Sequence, residues 1–280
     1  MSAPEPVEVD GASALLYRDA PSWDGARTVA IGGFACADAA AGRMLLEKAK
    51  ALSQAEGFEA LIGPMDGDTW HRYRVVSESD GSPAFAMEPV SGVHDKAAFL
   101  AAGFAPISEY VSSRATLEDA IQGEPPAVPG ITVTAWDGQG AEALIGQMFE
   151  MSLAGFAKNR FFKPITREVF LKLYEPVMPL VDPRFVLFAH GPGGQMAGFL
   201  FGFPDRLEGK SPKTVILKTY ASGMRGVGHL LADTFHRRAI ELGYVDVIHA
   251  LMHVDNVSRD RSGRHGATIF RRYALMGLRF

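Results

Sequence analysis

Gly223, Met224, Arg225, Gly226, Val227 and Gly228 follow one another where an apolar strand gives way to a helix, and a turn of this composition suits an anion. The first backbone N–H groups of a helix have no partner within it and lie at the positive end of its dipole; glycines let a phosphate come close to them. Such a turn also occurs simply as a connector. Further along, His253 supplies an imidazole that titrates near neutrality and can move a proton. Asn256 can donate and accept at once, or cap a helix starting near Ser258. In the first half, residues 63–74 are dense in acids, aromatics and bases. Trp70, Tyr73 and Arg74 there would clamp an acidic or planar molecule, or else stack as a structural turn between two halves.

The elements that must position these groups are legible around the turn. Residues 214–220 are β-branched and apolar enough for a half-buried strand. Leu231, Phe235, Ala239 and Leu242 then recur at helical spacing, and Gly243 stops the helix. Residues 245–254 are a second, nearly continuous apolar strand. Upstream, residues 131–136 alternate as a strand, 141–157 and 167–178 are helical with Thr166 as cap, and 185–189 with 195–203 form a hairpin.

In this order the residues resemble the GCN5-related N-acetyltransferase (GNAT) superfamily. Its acyl-CoA signature, Gln/Arg-x-x-Gly-x-Gly/Ala at a helix start, falls on 223–228, with Gly223 in the first position; Asn256 stands where the family has an Asn after the next strand, and residues 258–265 and 268–273 fit its last helix and strand. The resemblance covers about residues 131–280. It implies an α/β (α+β) fold and an acyl-CoA cosubstrate, acetyl-CoA or another acyl-CoA, with no metal. The N–H groups of Met224, Arg225, Gly226, Val227 and Gly228 would hold the pyrophosphate. Tyr220 and Ala221 would pair with the pantetheine arm alongside Asn256, and Arg259 in a basic C-terminal stretch would meet the 3'-phosphate. His253 is the implied proton acceptor. The tyrosine that many members carry on the last helix is absent from 261–265, which leaves Tyr220, His265, Tyr273 or water to protonate the thiolate. Phe161 and Phe162, joining the first two helices, border the implied acceptor site or else belong to the core, with Trp70, Tyr73 and Arg74 opposite the site. The activity implied is direct acyl transfer to an unidentified amine, on a small molecule or a protein, in a ternary complex. A noncatalytic acyl-CoA-binding or protein-interaction module is the alternative.

The first half repeats strand, helix, strand: residues 28–34, a helix over 38–56 capped by Asp38 and stopped by Gly57, then 58–63. Leu45 and Leu46 match Leu230 and Leu231, and residues 97–104 give a helix followed by Gly103 and Phe104. This suggests a duplication. Asp38 stands where the anion-binding turn would be, and its carboxylate would repel a phosphate, so acyl-CoA is expected only in the second half. The expected organisation is a truncated, degenerate GNAT-like domain at 1–122, a linker at 123–130 rich in proline, and an acyl-CoA-binding domain at 131–280, giving two mixed sheets flanked by helices.

The whole chain agrees with this reading. Its 280 residues favour two domains, and 47% hydrophobic with 21% charged residues indicates a globular protein. A net charge of −4 argues against nucleic acid or an anionic membrane as partner. Cys36, the single cysteine, cannot form an internal disulfide. With no signal-peptide pattern and no apolar run of membrane-spanning length, the expected location is the cytoplasm. The oligomeric state is left open.

Overall fold

The computed structural model describes residues 3–121, 123–157, 159–175, 178, 181–255 and 266–280. In chain order the strands are β1 (Glu5–Val9), β2 (Ala12–Tyr17), β3 (Thr28–Cys36), β4 (Ala60–Gly63), β5 (Val75–Ser79), β6 (Ala105–Thr116), β7 (Thr132–Ala135), β8 (Val186–His190), β9 (Met196–Pro204), β10 (Thr214–Ser222), β11 (Asp246–His253) and β12 (Thr268–Arg279). The helices are α1 (Ala39–Ala55), α2 (Asp95–Ala101), α3 (Leu117–Ala120), α4 (Ala141–Phe156), α5 (Arg167–Tyr174) and α6 (Val227–Glu241).

Where two sheets were expected, the described strands join into one mixed sheet of twelve, in the order β1-β2-β3-β4-β12-β6-β11-β10-β9-β8-β7, with β5 also on β12. Two parallel pairs stand in it, β3 with β4 and β10 with β11, each bridged by a helix, α1 and α6. Between them the halves trade strands. β12, last in the chain, lies antiparallel between β4 and β6; β6, from the first half, lies antiparallel between β12 and β11. Each parallel pair is therefore completed by a strand from the other half of the sequence.

Strands of the second half are apolar on both faces because helices cover both. Ile216 and Ile248 face a layer with Ile145, Phe149 and Phe170 of α4 and α5, while Val215, Leu217 and Val247 face Leu231, Phe235 and Ala239 of α6. Fully burying a Leu or Phe contributes about 1.5–3 kcal/mol. Gly202 lets α6 press close: a Cβ there would stand 2.4 Å from Phe235 Cε2. In the first half α1 and α2 cover one face through Leu45, Leu46, Ala49 and Phe99. As expected, Asp38 caps α1 and Thr166 caps α5. α5 ends at Tyr174 and β12 runs on to Arg279, and neither β1, β5 nor β6 was foreseen. Among the described residues no helix is long and apolar enough to cross a membrane.

The exchange has a direct test. Residues 1–122 and 131–280, produced separately, should each lack a cooperative thermal transition by circular dichroism, whereas co-expressed they should copurify as one particle that melts sharply. A 131–280 segment that melts cooperatively on its own would reject strand exchange as a requirement for folding.

Candidate active site

β10 and β11 run side by side only from Thr214 with Asp246 to Leu217 with His249, then part. Both strands lose register there. β10 bulges at Lys218 against β9, and β11 slips against β6 between His249 and Met252, with Leu251 at φ 58°. A left-handed backbone at a non-glycine residue is uncommon and strained. Leu251 N–H donates to Ser112 Oγ at 3.1 Å, which lies 3.1 Å from Tyr273 Oη; Tyr273 donates to Glu88 Oε1 at 2.6 Å. This chain crosses β11, β6 and β12 to reach the loop at Glu88, so all three central strands fix the distortion.

The parting strands open on a cavity of about 1520 Å³. One side is β10 from Leu217 to Ser222 and β11 from His249 to His253 with Val254 and Asp255 after it; the other comes from the first half, residues 69–74 and 87–89 and the start of β6; α4, α5 and the segment joining them contribute Phe156, Tyr174 and Phe162. Ser222 at the end of β10 and Gly223 to Arg225 just beyond it are exposed. Gly226 begins α6 at φ 89° with no side-chain cap, and a Cβ added at Gly223 would meet nothing within 4 Å. Gly223 N–H is used by the Ala197 carbonyl and Val227 N–H by that of Met224. Among the described residues nothing accepts from the N–H of Arg225, Gly226 or Gly228. These groups fit an anion.

The residues singled out from the sequence divide as follows. Tyr220, Ala221, His253, Trp70, Tyr73, Arg74 and Phe162 line the cavity; of the turn beside it Met224 and Arg225 are exposed, Gly226 is half-buried, and Val227 and Gly228 are buried as the first residues of α6. Phe161 does not line it: at 5% exposure it packs with Ala30, Ile62, Met65 and Leu275, because φ 62° at Phe161 turns the chain into the first half's core. Asn256, Arg259 and the stretch 261–265 lie outside the described residues. Trp70 is also structural, its indole N–H donating to the Lys163 carbonyl at 2.8 Å and its ring packing edgewise on Phe156, Phe162 and Phe170.

Among the proton-carrying groups, His253 Nδ1 accepts from Asp255 N–H at 3.1 Å, so its Nε2 carries the hydrogen that faces Ser108 Oγ at 3.1 Å. Burial, joined by the positive charges of Arg74 and Arg160 and opposed by Asp255, lowers the His253 pKa, leaving the ring neutral at pH 7. His71 is oriented by a 2.7 Å contact from Nδ1 to Asp68 Oδ1, which raises its pKa. Asp68 also accepts from Trp70 N–H and His71 N–H, holding this loop in place.

Sequence reasoning passed over Lys218 and Glu88. Lys218 Nζ donates to the Met87 carbonyl at 3.2 Å, and burial with the nearby Arg74 pushes its pKa down to about 7, against the opposing pull of Glu88. Glu88 pairs with Arg271, Nε to Oε1 3.1 Å, as a charge contact without aligned hydrogen-bond geometry. A lysine inside an apolar strand was the available signal.

No protein-family model matches the chain, and no curated protein matches it. Solved structures do. A GCN5-related N-acetyltransferase from Sphaerobacter thermophilus superposes with a TM-score of 0.58 at 16% identity, over 96% of this chain and 76% of that one. A tandem GNAT protein from the clavulanic acid biosynthesis pathway, solved without AcCoA, gives 0.56 at 16% identity, over 96% and 79%. A conserved protein of unknown function from Enterococcus faecalis gives 0.57 at 9%, over 97% and 60%. The chain carries the GNAT fold.

Lys218 makes stability depend on pH. Between its folded value of about 7 and the ordinary value of 10.5, the unfolded chain binds a proton that the folded chain does not, so stability rises with pH across that window. Lys218→Met should therefore stabilise the protein by about 1 kcal/mol or more below pH 7 and by progressively less toward pH 10. Melting curves from pH 6 to pH 10 measure it; a variant equally or less stable at pH 6 rejects the assignment of a partly desolvated ammonium.

Proposed function

We propose that the protein is an acyl-CoA-dependent N-acyltransferase that uses acetyl-CoA and transfers its acyl group directly to an amine in a ternary complex, in the cytoplasm. The observation that carries this reading is the meeting of an exposed, uncapped glycine turn at the start of α6 with the open edge of β10, at the mouth of one large cavity. Within Met224 to Gly228, the amides of Arg225, Gly226 and Gly228, from which nothing accepts among the described residues, suit the pyrophosphate. The β11-facing edge of β10 beyond Leu217 has no strand beside it among the described residues and suits the amides of the pantetheine arm.

Acetyl-CoA supplies an acyl group activated as a thioester. In the proposed reaction the amine nitrogen bonds to the carbonyl carbon as the carbon–sulfur bond breaks. His253, neutral at pH 7, takes the ammonium proton at Nδ1 in exchange for its Asp255 N–H contact; the Asp255 carboxylate, 3.8 Å from that nitrogen, steadies the imidazolium. Tyr220 gives its hydroxyl proton to the leaving sulfur and regains one from the acylated nitrogen, which sheds its surplus proton as the amide forms.

Two variants test the parts separately. Gly223→Glu adds a carboxylate at the turn without a steric conflict, and should weaken acetyl-CoA binding by about 10-fold or more in calorimetry with an unchanged melting temperature. An unaltered Kd discards the phosphate assignment. His253→Gln should lower kcat roughly 100-fold, with acetyl-CoA affinity retained. Tight acetyl-CoA binding with no CoA released on any amine would favour a noncatalytic acyl-CoA-binding protein.

A further inference from the structure

Arg74 is 7% exposed, sits at φ 77° and lines the cavity. Its guanidinium carbon lies in a corner between two tyrosine rings, 3.9 Å from the centroid of Tyr73 and 4.0 Å from that of Tyr110, the rings standing at 86° to one another. Two sides of the group are thus covered by aromatic faces. Its remaining bonds are few. Among the described residues Nη1 donates to the Leu251 carbonyl at 3.4 Å, Nε has no hydrogen-bond partner, and no carboxylate lies within ion-pair distance.

Arg72 and Arg160 of the cavity and Arg271 behind it differ from Arg74. Arg72 pairs with Asp66, Arg160 with Asp24, and Arg271 with Glu88. Lys218 stands with Arg74 on the unpaired side, its Nζ bonded only to the Met87 carbonyl among the described residues. Glu88 is engaged by Arg271 and Tyr273, and the cavity's other carboxylates, Glu109 and Asp255, are exposed. A buried cation without a counterion is costly, and a ligand that supplies the missing charge removes that cost.

We propose that Arg74 and Lys218 form a subsite for the carboxylate of the acceptor, which makes the acceptor class amino acids and related carboxylate-bearing amines. The proposal rests on the N-acyltransferase reading of the same cavity. A guanidinium recognises a carboxylate by paired hydrogen bonds, and the Lys218 ammonium adds a point charge beside it. Arg74 presents a single planar guanidinium between two aromatic faces, which matches a planar monoanionic carboxylate better than a tetrahedral phosphate dianion. Trp70, Phe156 and Phe162 leave an apolar wall for the rest of the acceptor.

The test uses the twenty L-amino acids, each beside its α-amide, together with β-alanine, propylamine and O-phosphoethanolamine. Binding to the protein without acetyl-CoA is read by calorimetry, and turnover by CoA thiol release. At least one acid should bind 10-fold or more tightly than its uncharged counterpart, Arg74→Met should bring that ratio close to one, and Arg74→Lys should restore it in part. Should Arg74→Met fail to fold by circular dichroism, Lys218→Met should lower the same ratio. The proposal is overturned if no acid binds more tightly than its uncharged counterpart, if the ratio survives both methionine variants, or if O-phosphoethanolamine outcompetes β-alanine. The two readings fail apart: Arg74-dependent acid binding with no CoA release from any amine sinks the acyltransferase and leaves the subsite, whereas turnover of uncharged amines alone sinks the subsite and leaves the acyltransferase.

Discussion

The antiparallel pairing of β6 with β12 is the contact on which the rest of the molecule depends. Each strand completes the sheet of the half from which it does not come, so neither half can close its own sheet. The cavity is a consequence of this exchange. Its first-half wall, residues 69–74, lies between β4 and β5, which flank β12, while its second-half wall is β11, which flanks β6. Trp70 then ties the first-half loop to Lys163 between α4 and α5. The opposing walls share one sheet and one set of crossing hydrogen bonds, which makes the cavity a rigidly framed one.

Parting β10 from β11 is unfavourable for a bare sheet, because backbone donors and acceptors at the open edge lose their partners. The fold accepts that cost in one place and offsets it nearby. The Leu251, Ser112, Tyr273 and Glu88 chain stabilises the displaced segment of β11, and a connected buried network of this kind specifies one conformation only when its members are satisfied. Binding sites in sheets with parallel strands lie beyond the strands' carboxyl ends. Here that end also carries the start of α6, so open strand edge and uncapped helix converge on one opening.

What the sequence disclosed, and what it hid, follows from the same division. Strands buried on both faces announced themselves: residues 214–220 and 245–254 are nearly continuous apolar runs, and Asp38, Thr166, Gly57 and Gly243 marked helix ends because caps act locally. β6 was illegible although it lies at the sheet's centre. Ser108, Ser112 and Ser113 interrupt its apolar pattern, and they are buried there because Ser112 and Ser108 serve Tyr273, Leu251, Tyr110 and His253. The site lines that strand, and the site erased its signal. Phe161 and Phe162 were indistinguishable as neighbours, and a single left-handed φ sends one into the core and leaves the other at the cavity. Lys218 and Glu88 acquire meaning only from partners far along the chain.

The two helix-bridged parallel pairs resemble one another in layout and differ at the point that matters for an anion. At the start of α1, Asp38 occupies the cap position, its carboxylate accepting from Ala41 N–H at 2.8 Å, and Gly42 is pressed so close to α2 that an added Cβ would stand 2.5 Å from the Ala98 Cβ. That helix end is filled by a negative charge and a packed neighbour. At the start of α6 the cap is a glycine with no side chain to satisfy the first N–H groups, and the turn before it is open. Capping by a carboxylate contributes about 1 kcal/mol to a helix, so leaving α6 uncapped forgoes stability that α1 keeps. Helix starts are cheap to cap in evolutionary terms, requiring a single substitution to Asp or Ser. An open one at the mouth of a deep cavity is intelligible if a ligand's charge takes the place of the missing side chain, and the first half, closed at the equivalent point, is left to build the opposite wall.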